Sequence, residues 1–109
     1  ITVKVLIPAK IAEATQTTQY TANGVTTIID KFTATNYSGT AATISVNLVT
    51  SADTAGNQNL ITKTKTLQPS EVYTFPELVG QVLSAGAFIS TIAGTATSIN
   101  IRASGREVS

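Results

Sequence analysis

The sequence predicts an all-β protein: a single β-sandwich over residues 1–109, jelly-roll-like, with seven to eight strands and at most one short helix near 77–83. Three observations predict it. Apolar and polar residues alternate with period two in segment after segment, and each segment ends at a Pro, Gly, Asn or Ser turn signal. Thr is the most frequent residue, and its branched Cβ suits a pleated surface. Helical patterns do not alternate with the strands, so a parallel α/β arrangement is excluded.

Taken in order, Ile1, Val3, Val5 and Ile7 line one face of a first strand that Pro8 ends. A polar, Ala/Thr-rich stretch follows over 9–19, with a short strand around Ile11. Tyr20 to Ala22 is extended and leads into Asn23-Gly24, the strongest turn dipeptide in the chain. A long strand is expected from Val25 to Tyr37, with Ile28, Phe32 and Ala34 on one face and Thr27, Ile29, Lys31 and Thr33 on the other. After Ser38-Gly39, Ala42, Ile44, Val46 and Leu48 alternate with Thr43, Ser45 and Asn47. Residues 51–59 form a polar loop, and Leu60 to Leu67 is the next strand. Lys63 and Lys65 share one side of it, as on a solvated or edge strand. Gln68-Pro69-Ser70-Glu71 is a turn, and Val72 to Phe75 a short strand stopped by Pro76. Leu78, Val79, Val82 and Leu83 fit helical spacing, with Pro76 at a tolerated first position and Gly86 as an end cap. Strands over Ala87–Ala93 and Thr97–Ala103 follow, separated by a turn at 94–96, and a polar tail from Ser104 closes the chain.

Composition narrows function. Charged residues are 12% of the chain, about half the usual share, and the net charge is +1. Nucleic-acid binding needs clustered cations, which this balance does not supply, and no apolar run approaches the length of a membrane span. The alternating start at Ile1 is expected to be strand rather than signal peptide. Because Ile1 is not Met, trimming or omission of a preceding segment is also expected. With no Cys, there is neither a disulfide framework nor a thiolate metal site. With no His, the commonest general base is gone, and with it the usual Ser–His nucleophile pair. The six acids, Glu13, Asp30, Asp53, Glu71, Glu77 and Glu107, lie scattered, so the expectation is no enzyme, no cofactor and no small-molecule substrate. Asp53 to Asn59 offers oxygen ligands of the kind calcium prefers, but with one carboxylate it is better read as a solvated loop. Asp30 and Lys31 are adjacent in a strand, so they are expected on opposite faces.

What remains is binding. The candidate partner contacts are Ile1, Val3 and Val5 on the terminal strand, and Lys63 and Lys65 on the edge-like strand. Leu78, Val79 and Val82 in the apolar connection, and Arg102 and Arg106 near the C-terminus, complete the set. Segment 75–83 either plugs one end of the sandwich or makes a contact patch; Arg106 either anchors a partner carboxylate or frays with the tail.

Three segments carry a resemblance when read together: Ile28 to Asn36, Leu67 to Glu71 running into Phe75 to Leu83, and Ile101 to Val108. In this order they resemble small jelly-roll structural proteins of tailed bacteriophages and prophages, closest to those that decorate or cement capsids. The resemblance runs from about residue 25 to the end. It implies a virion location on the capsid surface, binding to the major capsid protein, and self-association as a homo-oligomer. It transfers no ligand residue, because the family carries no catalytic motif. A tail, neck or fibre-associated virion component is the nearest alternative, and a carbohydrate-binding sandwich a further one. The latter needs exposed aromatics, for which only Tyr20, Tyr37 and Tyr73 are offered and no Trp.

Overall fold

The computed structural model describes all 109 residues, and none of them forms an α-helix. Nine strands run β1 (Thr2–Ile11), β2 (Thr17–Thr21), β3 (Thr26–Asn36), β4 (Ala42–Val49), β5 (Leu60–Leu67), β6 (Val72–Tyr73), β7 (Val82–Leu83), β8 (Phe88–Ala93) and β9 (Ile99–Val108). The first sheet has the order β1-β9-β3-β6, with β7 also paired to β3; the second has the order β2-β8-β4-β5. Every pairing is antiparallel. The partners form a nested set, β1 with β9, β2 with β8, β3 with β6 and β7, β4 with β5. That is one long antiparallel ribbon rolled up on itself, which is a jelly roll. β6 and β7 together fill one strand position, so nine strands occupy eight.

Between the sheets lies one core of 21 buried residues, dominated by Ile7, Ile29, Phe32, Ile44, Leu67, Phe75, Leu78, Ile89, Ile99 and Ile101. Aromatic rings pack at its Glu77 side, with Phe32 edge-on to Phe75 at 4.7 Å between centroids and Tyr73 tilted against Phe75 at 4.6 Å.

Several expectations about faces are corrected by β-bulges. β1 does not end at Pro8 but continues to Ile11. Pro8 is tolerated because β1 is an edge strand and the register to β9 slips between Ile7 and Lys10, so no ladder hydrogen bond is demanded there. A second slip makes Leu6 the extra residue between the pairs Val5–Ser104 and Ile7–Ala103. Ile7 therefore points into the core while Val3 and Val5 point out, and the four apolar residues at 1, 3, 5 and 7 do not share a face. In β3 the extra residue is Asp30, between the pairs Ile29–Gly105 and Lys31–Ser104. The buried set is accordingly Thr27 and Ile29 before the bulge and Phe32, Ala34 and Asn36 after it.

Residues 76–80 form turns, not a helix, and β7 follows at once. The helical spacing there reflects two separate demands. Leu78 is buried, whereas Val79 and Val82 stand 50% and 57% exposed. The expected polar tail is likewise overturned: residues 104–108 continue β9 between β1 and β3. The turn at Gln68–Glu71 forms as expected, with Ser70 at φ 67° and the Glu71 amide bonded to the Gln68 carbonyl.

Candidate interaction surface

The chemistry of this molecule lies in its side chains at the strand edges and on the outer face of the first sheet. All six carboxylates are engaged. Glu13 accepts from Lys10 Nζ and Gln19 Nε2, each at 2.9 Å, and these bonds hold its carboxyl below the ordinary range. Asp53 accepts the Thr54 amide at 2.8 Å within its own loop, and Glu71 accepts the Gln68 amide at 2.7 Å within its turn. The 53–59 loop folds around buried Asn59, whose Oδ1 takes hydrogen bonds from Asn47 Nδ2 and the Gly56 amide. Its oxygens serve the loop itself, and no group of three acidic, His or Cys side chains gathers to hold a metal.

Glu77 and Glu107 each clasp the two sheets together. Glu77 accepts Tyr73 Oη at 2.6 Å on the first sheet's edge and Thr62 Oγ1 at 2.5 Å on β5 of the second. Burial pushes the Glu77 carboxyl up, but the Thr62 and Tyr73 bonds outweigh it and leave the pKa lowered. The same bond pushes Tyr73 up to about 12, and Lys65 sits over its ring with Nζ 4.9 Å from the centroid. At the opposite margin Tyr20 of β2 donates to Glu107 of β9 at 2.5 Å and shares a 2.6 Å bond with Thr27. Lys4 of β1 joins Glu107 at 3.2 Å. Glu107 is lowered first by the Tyr20 bond and further by Lys4, while burial opposes both. Sequence reading does not find these clasps, because Tyr20 and Glu107 are 87 residues apart in the chain.

The outer face of the first sheet carries charged side chains of β3 and β9. The Asp30 bulge places both Asp30 and Lys31 on it, which corrects the expectation of opposite faces. Arg106 forms a bidentate pair with Asp30, Nε–Oδ2 and Nη2–Oδ1 both 3.0 Å. Arg106 is thus fixed by a carboxylate of its own chain. Beside it Lys31 stands opposite Ser104, and Arg102 stands opposite Thr33. These four side chains and Ala103 line one open cleft, and neither cation has a carboxylate partner. A second shallow cleft, bounded by Asp30, Lys31, Thr74, Pro76 and Val79, adjoins it. Exposed Val79 and Val82 flank this face at one corner, and Ile11 and Val72 at the other end.

Of the predicted contacts, Lys31's neighbours Arg102 and Arg106, together with Val3, Val5, Val79 and Val82, fall on or beside this one face. Ile1 directly precedes β1 and is 86% exposed. Lys63 and Lys65 lie on β5, an edge strand of the other sheet as their pattern predicted, but the slip between the pairs Ile44–Lys65 and Val46–Thr62 puts an extra residue between them, so they do not share one side. Leu78 is removed from the set, because it is fully buried in the core. Lys31 is not among the predicted contacts; it and Arg102 become visible as a pair of cations on neighbouring strands only once the β3–β9 register is known. No protein-family model, curated protein or solved structure matches the chain.

Proposed function

We propose that this protein is a non-enzymatic structural component of a virion that attaches to the capsid surface and stabilises it. The observation that carries this proposal is the outer face of the first sheet: broad, strand-lined, without a deep pocket, apolar at its margins and holding the uncompensated pair Lys31 and Arg102 at its centre. Like charges set diagonally across neighbouring strands are mildly unfavourable, so an acidic partner surface laid over them is favoured. A flat face suits a shell. A modest contact repeated over many identical subunits becomes firm attachment through effective concentration. The jelly roll recurs in viral capsid proteins, which supports the proposal only by analogy of fold. The resemblance of the 28–36, 67–83 and 101–108 segments to capsid-decorating phage proteins points the same way. A sugar-binding role is disfavoured: Tyr20 and Tyr73 are committed to the clasps, leaving Tyr37 alone as an exposed tyrosine.

The test is to locate the chain in an image reconstruction of its particle, and to compare particles with and without it under heat and osmotic shock. Density on the shell and earlier rupture without the protein are expected; density confined to the tail, or unchanged resistance, overturns the proposal. The double variant Lys31→Glu with Arg102→Glu should keep the native melting temperature and lose attachment.

A further inference from the structure

We infer that the outer edge of β1 is a self-association site, where two copies of this chain pair their residues 1–5 antiparallel about a two-fold axis. It rests on that edge alone and holds whatever larger particle the protein joins.

A sheet edge presents unpaired amide and carbonyl groups, and stable proteins blunt such edges with breaks, bulges and charges. This molecule has four edges, and three are blunted. The β6–β7 edge is split into two pieces of two residues each. β5 carries Lys63 and Lys65, has a residue at positive φ (Thr64, 44°), and slips register twice against β4. β2 has five residues and a slip between Thr18 and Tyr20. The remaining edge, the first half of β1, is regular. Thr2, Val3, Lys4 and Val5 pair in unbroken register with Glu107, Arg106, Gly105 and Ser104, and their other side is unpaired. It also bears the two most exposed large apolar side chains of the chain, Ile1 at 86% and Val3 at 81%, with Val5 at 42%.

The strand is complementary to itself in one register. Antiparallel pairing keeps residues of like parity opposite each other, so that hydrogen-bonding groups meet. Centred on Val3, it sets Val3 against Val3 and Ile1 against Val5 of the second copy, joining the apolar residues of both on one face. On the other face it sets Thr2 against Lys4. Lys4 already meets its own Glu107 at 3.2 Å, and Thr2 stands directly opposite Glu107. Each Lys4 therefore keeps its own Glu107 as partner and faces the neutral Thr2 of the second copy. Centring on Lys4 instead would oppose two ammonium groups, which is unfavourable. The result is one sheet continuous across both molecules.

Because the chain contains no Cys, single cysteines report the pairing cleanly. Residues opposite each other in an antiparallel pair lie within disulfide reach. Val3→Cys is expected to form a disulfide-linked dimer under mild oxidation several-fold faster than Lys4→Cys or the exposed control Val72→Cys. The wild-type chain should sediment as a concentration-dependent dimer, and Val3→Lys as a folded monomer. A wild-type monomer at millimolar concentration, a dimer that survives Val3→Lys, or cross-linking no faster at residue 3 than at residue 72 would each overturn the inference. Lys4→Cys cross-linking fastest would overturn the register.

Discussion

The two long margins of the sandwich are held by the same chemistry and left in different states. At each, a glutamate links the two sheets: Glu77 takes hydrogen bonds from Tyr73 and Thr62 at one, and Glu107, held within its own sheet by Lys4, takes one from Tyr20 at the other. At the Glu77 margin the strand position is broken into β6 and β7. The connection between them dives inward, burying Phe75 and Leu78 completely. No regular edge survives there. At the Glu107 margin the strand is whole, and residues 1–5 stand exposed beyond the core. The difference teaches that a side-chain clasp joins sheets without covering backbone. At the Glu77 margin it is the interruption of the strand, not the clasp, that removes the regular edge.

The largest expected effect tests the closed margin. Phe75 adopts φ 46°, a left-handed conformation that an aromatic residue rarely takes. Burial against Phe32 and Tyr73 offsets that local cost. Phe75→Ala removes the packing and keeps the strained backbone, so a loss of about 3–5 kcal/mol in urea unfolding is expected. A loss below about 1 kcal/mol would show that the inward turn is not what seals this margin.

The next effect tests the open margin. Gly105 of β9 pairs with Lys4 of β1 and Ile29 of β3, beside the bulges at Leu6 and Asp30. A Cβ there would collide with the Ile28 carbonyl oxygen and crowd Leu6 Cδ1, and neither the backbone oxygen nor the buried leucine can withdraw freely. Gly105→Ala is expected to cost about 1–3 kcal/mol by overpacking. If the two margins are independent, this loss adds to that of Phe75→Ala. A marked shortfall in the double variant would mean that they unfold as a coupled unit.

Much of this architecture is legible in the residues, because period-two alternation is a local signal. Leu60 to Leu67 reads as an edge strand from Lys63 and Lys65 alone, and β5 is one. Where the assignment of faces departs from the fold, a bulge is the cause. A single extra residue, Leu6 or Asp30, reverses every face assignment beyond it, and nothing in the local pattern marks that reversal. Residues 104–108 look like a tail because Ser, Gly, Arg and Glu are poor strand formers. They are strand because β1 and β3 flank them on both sides. The interaction surface is the least legible part. Lys31 and Arg102 are far apart in sequence and meet only through the register of β3 with β9.

The smallest expected effect separates the two clasps by pH. A tyrosine whose pKa is raised in the fold stabilises it fully below its unfolded pKa, and that stability is lost as pH climbs through the folded value. Tyr73 is pushed from 10 up to about 12, mainly by its bond to Glu77, so its contribution should drain away between those limits. Tyr20 is raised as well, in its case first by burial and then by Glu107, so it adds to the same alkaline decline. The glutamates act with the opposite sign. Glu77 and Glu107 are both lowered, so each stabilises the fold above the ordinary carboxylate pKa and ceases to do so as pH falls through its depressed value. Stability measured by urea unfolding across pH should form a plateau with an acid limb and an alkaline one. Tyr73→Phe should flatten the alkaline limb while leaving part of the acid limb, because Glu107 keeps both its partners. Tyr20→Phe should weaken both limbs, and it should also raise hydrogen exchange at residues 2–5, since Glu107 then holds Lys4 without its strongest donor. If Tyr73→Phe instead loosens residues 2–5, the clasps are not local devices and the contrast between the margins fails.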